Sequence, residues 1–125
     1  MTNLEDKINE FCYICGFEFS KSKCFKEMRY PFYDCPCCGF EYGIEEFEKN
    51  VYTTKRIEWI ENGLKFGSPD CIPDSDKWTL DKAITQLQNL KNVVLFRKSE
   101  RELNPDFNAN FDLELVRLKW HEHKQ

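Results

Sequence analysis

The spacing of apolar residues divides the chain into a front without helical rhythm and a rear with recurrent helical stripes. In the rear, Ile57, Ile60 and Leu64 recur at intervals of three and four, Thr53-Thr54 offers a capping hydroxyl and Gly63 a stop. A helix is therefore predicted over about residues 55–62. Leu80, Ala83, Ile84, Leu87 and Leu90 form a second stripe behind the cap residue Thr79 and predict a second helix. Phe107, Phe111, Leu115 and Leu118 suit a third, opened by Asn104-Pro105-Asp106, although Phe111, Leu113 and Leu115 also alternate like a strand. The abundance of Leu, Glu, Arg and Lys favours the helix. Val93-Val94-Leu95-Phe96 reads as a short strand, and residues 4–11 read as an amphipathic helix with Thr2 and Glu5 as a capping box.

The front is organised by a repeat. Cys12-Tyr13-Ile14-Cys15-Gly16-Phe17-Glu18-Phe19 recurs as Cys35-Pro36-Cys37-Cys38-Gly39-Phe40-Glu41-Tyr42, with two cysteines, glycine, phenylalanine and glutamate in register. After Cys38 only Cys71 remains, so composition changes sharply near residues 39–43. The expected fold class is α+β: a small zinc-ribbon or rubredoxin-like β module over residues 1–43, then a mainly helical region over 44–125 packed on it. At 125 residues this fits one domain with a core of ordinary size.

Each Cys-x-x-Cys-Gly turn places two sulfurs on one side of a tight loop, and the glycine accepts the positive φ that turns backbone N–H groups toward sulfur. Two such turns supply four thiolates, the set a tetrahedral zinc takes at about 2.3 Å. The repeat fixes the register: Cys12, Cys15, Cys35 and Cys38 are the predicted metal ligands, and Cys37 lies inside the second turn. Cys24 and Cys71 read as small buried hydrophobes. A filled Cys₄ set leaves no open position for water or substrate, so the site is expected to be structural and the chain not to be an enzyme. His121 and His123, the two histidines, lie in a polar tail and read as solvated surface.

Composition and charge narrow the partners. The apolar runs fall far short of the roughly 20 residues that cross a bilayer. Met1-Thr2-Asn3-Leu4-Glu5-Asp6 lacks the basic and apolar regions of an export signal, which points to the cytoplasm, where paired thiols more often bind metal than form disulfides. The formal charge of -4 argues against indiscriminate attraction to nucleic acid. Locally, however, Lys21, Lys23, Lys26 and Arg29 stand among Phe25, Tyr30, Phe32 and Tyr33 in a hairpin expected between the knuckles, where charges could grip phosphate and rings stack on bases. Glu41, Glu45, Glu46 and Glu48 make the following stretch acidic.

The run Tyr33-Asp34-Cys35-Pro36-Cys37-Cys38-Gly39-Phe40-Glu41-Tyr42-Gly43 resembles the signature of bacterial cysteine-rich CPCC-type proteins, and Arg56, Trp59, Ile60, Gly63, Trp78 and Gln86-Leu87 extend the likeness to about residues 10–90. That resemblance implies a zinc-ribbon-like metal site and a bacterial or phage origin. Cys12, Cys15, Gly16, Phe17, Cys35, Pro36, Cys38 and Gly39 also resemble the two knuckles of rubredoxins, which implies iron and one-electron transfer as the alternative to zinc. The function expected is a small structural-zinc protein that binds another protein or inhibits it, with toxin immunity as one concrete form. The alternatives are a nucleic-acid-binding ribbon and a rubredoxin-like electron carrier.

Overall fold

A computed structural model describes residues 8–73 and 77–123. Its regular elements are two short strands, β1 (Tyr33–Asp34) and β2 (Glu41–Tyr42), followed by α1 (Val51–Glu61), α2 (Leu80–Gln88), α3 (Lys98–Leu103) and α4 (Leu113–His123). The strands pair antiparallel with Tyr33 opposite Tyr42 and Asp34 opposite Glu41. The fold is α+β, a small sheet in the front followed by helices.

Residues 19–33 are not a hairpin. They run through 3₁₀ turns at Phe19–Lys21 and Phe25–Glu27 and close with a single bridge between Arg29 and Phe32. The predicted helix over 4–11 lies mostly outside the described residues; its described end, residues 8–11, is not helical.

α2 forms as its stripe predicts. Thr79 Oγ1 accepts from the Lys82 N–H at 3.2 Å, and Ala83, Leu87 and Leu90 are buried. α1 begins earlier than Thr53-Thr54 suggests, because its cap is Asn50 in a left-handed conformation at φ 57. Its buried face is Val51, Tyr52, Arg56, Trp59 and Ile60, whereas Ile57 points outward. Ile60 and Leu64 are buried as the stripe predicts, and only its first position is off by one residue, Arg56 and not Ile57 facing inward.

Asn104 does not open the last helix. It ends α3, and its Oδ1 accepts the Tyr52 N–H at 3.2 Å, serving the start of α1 from 52 residues away. α4 starts at Leu113, where Asp112 Oδ1 accepts the Leu115 N–H at 3.1 Å. The predicted strand over 93–96 finds no neighbouring edge. Its carbonyls at Leu95 and Phe96 are taken instead by the Arg101 guanidinium, at 3.0 and 2.7 Å, and Val94 faces solvent.

The interior is one core in which two groups of aromatic residues, joined through Phe17, pack with aliphatic side chains such as Leu64, Leu87 and Val116. Tyr13, Phe19, Tyr33, Phe40, Tyr42 and Tyr52 pack behind the cysteines, with Tyr33 and Tyr42 stacked at 4.8 Å across the strand pair. Trp59, Phe66, Trp78 and Trp120 gather α1, the loop before α2, and α4. No described helix is long and apolar enough to cross a membrane.

Candidate metal centre

The two knuckles are built alike. In the first, Gly16 N–H donates to the Cys12 carbonyl at 3.0 Å and Cys12 N–H to the Phe17 carbonyl at 2.8 Å. In the second, Gly39 N–H donates to Cys35 O at 2.9 Å and Cys35 N–H to Phe40 O at 2.9 Å. Gly16 and Gly39 hold φ values of 80 and 81, a region where a side chain is strained.

These turns bring the sulfurs of Cys12, Cys15, Cys35 and Cys38 within 4.8 Å of one another. Cys12 and Cys38 are 3.7 Å apart, as are Cys15 and Cys35. A tetrahedron with metal–sulfur bonds of about 2.3 Å has edges near 3.8 Å. The four cysteines are thus positioned to coordinate a metal ion. Cys37 lies beside Cys15 but outside the four-sulfur group: it is buried, and its sulfur accepts from Gln86 Nε2 at 3.2 Å.

Electrostatics in the cluster are uneven. Burial pushes the Cys12 thiol up, but hydrogen bonds from Cys15, Cys35, Cys38 and Tyr42 outweigh it and hold this thiol well below its ordinary value. Burial, with Cys12 beside them, pushes Cys15 and Cys38 well up and Cys35 up to about 11. Among the four crowded thiols, Cys12 is therefore the one whose surroundings most favour the thiolate. That sulfur also receives the Ile14 N–H at 3.4 Å and the Tyr42 hydroxyl at 3.2 Å. Burial and the Cys12 charge raise the Tyr42 phenol far above its usual range, so it remains a donor.

The rear holds each knuckle differently. α2 closes over the first: Gln86 Nε2 donates to Cys15 O at 3.3 Å, Asn89 Nδ2 donates to Gly16 O at 3.0 Å, and a Cβ at Gly16 would collide with the Gln86 carbonyl oxygen. The second is held by the backbone of the following loop, with Gly67 N–H on Cys37 O at 2.8 Å and Ser68 N–H on Pro36 O at 2.9 Å. Nothing lies within 4 Å of a Cβ at Gly39, and Cys38 is the most exposed of the four thiols.

That same loop carries Cys71, which forms a disulfide with Cys24 across 47 residues. The pair does not behave as two independent buried thiols, the reading from the sequence alone. Closing a loop of this size stabilises by about 4 kcal/mol through the unfolded chain.

Lys21, Lys23, Lys26 and Arg29 are all exposed. Lys21 pairs with Glu18 at 3.6 Å, and Arg29 donates to the carbonyls of Lys26 and Met28 at 2.5 and 2.7 Å. Of their aromatic companions, Tyr33 is buried in the core and only Phe25, Tyr30 and Phe32 reach the surface. His121 and His123 are exposed, and His123 Nε2 lies 3.3 Å from Glu61 O.

Comparison with known proteins adds relatives but no assignment. The sequence is similar to the uncharacterized protein YoaQ of Bacillus subtilis (strain 168), 29% identical over 82 residues that cover 53% of this chain and 70% of YoaQ. It is also similar to the uncharacterized protein YozI of the same organism, 31% identical over 80 residues that cover 50% of this chain and 66% of YozI. No family model matches the chain, and no solved structure matches it.

Proposed function

We propose that this is a structural-zinc protein whose metal-held front docks another protein. The observation that carries the reading is an apolar surface at the open end of the β1–β2 pair. Phe32, Ile44 and Phe47 are 64%, 55% and 75% exposed. Two of them meet at Gly43, which Ile44 follows: the Phe32 ring lies beside Gly43, and Phe47 lines one depression with Tyr30 and Gly43. Exposed aromatic residues grouped on a rigid turn are what a protein partner buries as its anchors. Four thiolates fill a zinc's coordination shell, which supports a structural rather than a catalytic metal and a chain that is not an enzyme. The likeness of the second knuckle to CPCC-type chains supports zinc further.

The partner class includes a toxin or host factor that the chain would neutralise. Purified protein should be colourless with one zinc per chain; a red protein with visible bands would establish the iron reading instead. Phe32→Asp with Phe47→Asp should leave the metal content intact and abolish binding to the partner. If those substitutions leave binding unchanged, while reversing Lys23 and Arg29 removes salt-sensitive retention on immobilised RNA or DNA, the nucleic-acid reading replaces this one.

A further inference from the structure

Arg56 is among the most deeply buried large side chains of the molecule, at 1% exposure. No carboxylate meets it among the described residues. Its Nε donates to Ile14 O at 2.9 Å, Nη2 to Tyr13 O at 2.9 Å, and Nη1 to Asn108 O at 2.7 Å and Asn110 O at 3.2 Å, all of them neutral carbonyls. Phe107 lies under the guanidinium, 5.5 Å from Cζ to the ring centroid. The other buried arginine, Arg97, pairs with Glu100 at 2.9 Å. Taking an unpaired guanidinium out of water costs several kcal/mol unless an opposite charge lies nearby.

The geometry supplies one. Tyr13 and Ile14 are the two residues between the sulfurs of Cys12 and Cys15, and they share one peptide unit. Its carbonyl accepts from Arg56, and its N–H, that of Ile14, donates to the Cys12 sulfur at 3.4 Å. Arg56 thus polarises a peptide whose positive end faces the thiolate, and hydrogen bonds chained in this way strengthen one another. Four thiolates around a divalent ion carry a net charge of −2, and Arg56 brings the buried ensemble to −1.

We infer that Arg56 is the internal counter-ion of the metal–thiolate centre, a positioning residue that fixes the first knuckle and makes a divalent tetrathiolate tolerable inside the fold. This rests on the Cys₄ metal reading. The field at Arg56 agrees: burial pulls its acidity one way, and Cys12 and Cys15 pull it back.

The test uses the full chain as wild type, Arg56→Lys, Arg56→Gln and Asn108→Asp. Asn108 is exposed, its backbone carbonyl is one that Arg56 binds, and its Oδ1 accepts the Asn110 N–H at 2.8 Å, an acceptor that Asp keeps while adding a negative charge to the loop that holds the guanidinium and giving up the Nδ2 bond to Asp106 O. Zinc affinity is read by competition with a chromophoric chelator, and charge at the centre by the reduction potential of the iron-loaded protein. Arg56→Gln should weaken zinc at least tenfold and move the potential negative, Asn108→Asp should move both the same way by less, and Arg56→Lys should hold the potential near wild type even where the fold is less stable. Equal potentials in wild type, Arg56→Gln and Asn108→Asp would overturn the inference, as would equal zinc loss in the Lys and Gln variants. If Arg56→Gln does not fold, an unmoved potential in Asn108→Asp overturns it. Wild type that takes up neither metal defeats the Cys₄ reading itself, a separate outcome.

Discussion

The Tyr42 hydroxyl donates to the Cys12 sulfur at 3.2 Å while accepting the Tyr13 N–H at 2.9 Å. One phenol from the second knuckle therefore ties together a ligand and the backbone of the first. Tyr42→Phe should cost about 1–3 kcal/mol, since it strands the buried Tyr13 N–H. Denaturant unfolding of the metal-loaded protein would measure this, with the stacked ring against Tyr33 retained as an internal control for packing.

The cysteines should sort sharply. Serine at 12, 15, 35 or 38 removes one corner of the tetrahedron, and a structural zinc contributes on the order of 10 kcal/mol to folding. Each of these four variants should lose metal and the structure of the front half, as read by metal analysis and near-ultraviolet dichroism. Cys37→Ser should keep metal, disturbing only its contacts with Gln86 and Cys15. Metal loss in Cys37→Ser with retention in Cys35→Ser would show that the register is wrong.

Metal binding should release protons. Cys15, Cys35 and Cys38 are held up by burial and by Cys12, whereas hydrogen bonds from its neighbours hold Cys12 down. A divalent ion should therefore displace protons from the raised thiols as it binds, because thiolates and not thiols bind metal. Affinity then falls as pH falls. Calorimetry in buffers of different ionisation enthalpy reads the release; a binding enthalpy independent of the buffer would contradict raised thiols at Cys15, Cys35 and Cys38.

The two glycines with nearly the same φ should respond unequally. Gly39→Ala pays only for left-handed backbone, about 1–2 kcal/mol. Gly16→Ala adds a collision with the Gln86 carbonyl, which α2 must move to relieve. Its melting temperature should drop well below that of Gly39→Ala, and equal melting temperatures would mean that α2 does not close over the first knuckle.

Where a signal was local, the sequence sufficed to read it. The Cys-x-x-Cys-Gly repeat placed all four clustered sulfurs and excluded Cys37, and Thr79 with its apolar stripe marked α2, because each depends on neighbours a few residues apart. Asn104 misled because its partner, Tyr52 N–H, lies 52 residues away, and nothing near it announces that. Arg56 gives no local sign of its burial for a related reason. A charged residue on a helix reads as exposed, and only its place in step with Tyr52, Trp59 and Ile60 hinted that it faced inward. The Cys24–Cys71 bond escaped notice since two isolated cysteines carry no spacing pattern.

That bond and the metal centre overlap along the chain. One closure runs from Cys12 to Cys38 and the other from Cys24 to Cys71, so the stretch 24–38 lies inside both rings. A protease that cuts after the exposed Lys26 or Arg29 would sever the backbone without parting the pieces. The upstream fragment would still hold Cys12, Cys15 and Cys24, and the downstream one Cys35, Cys38 and Cys71. The nicked molecule would migrate as one species until it met both a reductant and a chelator.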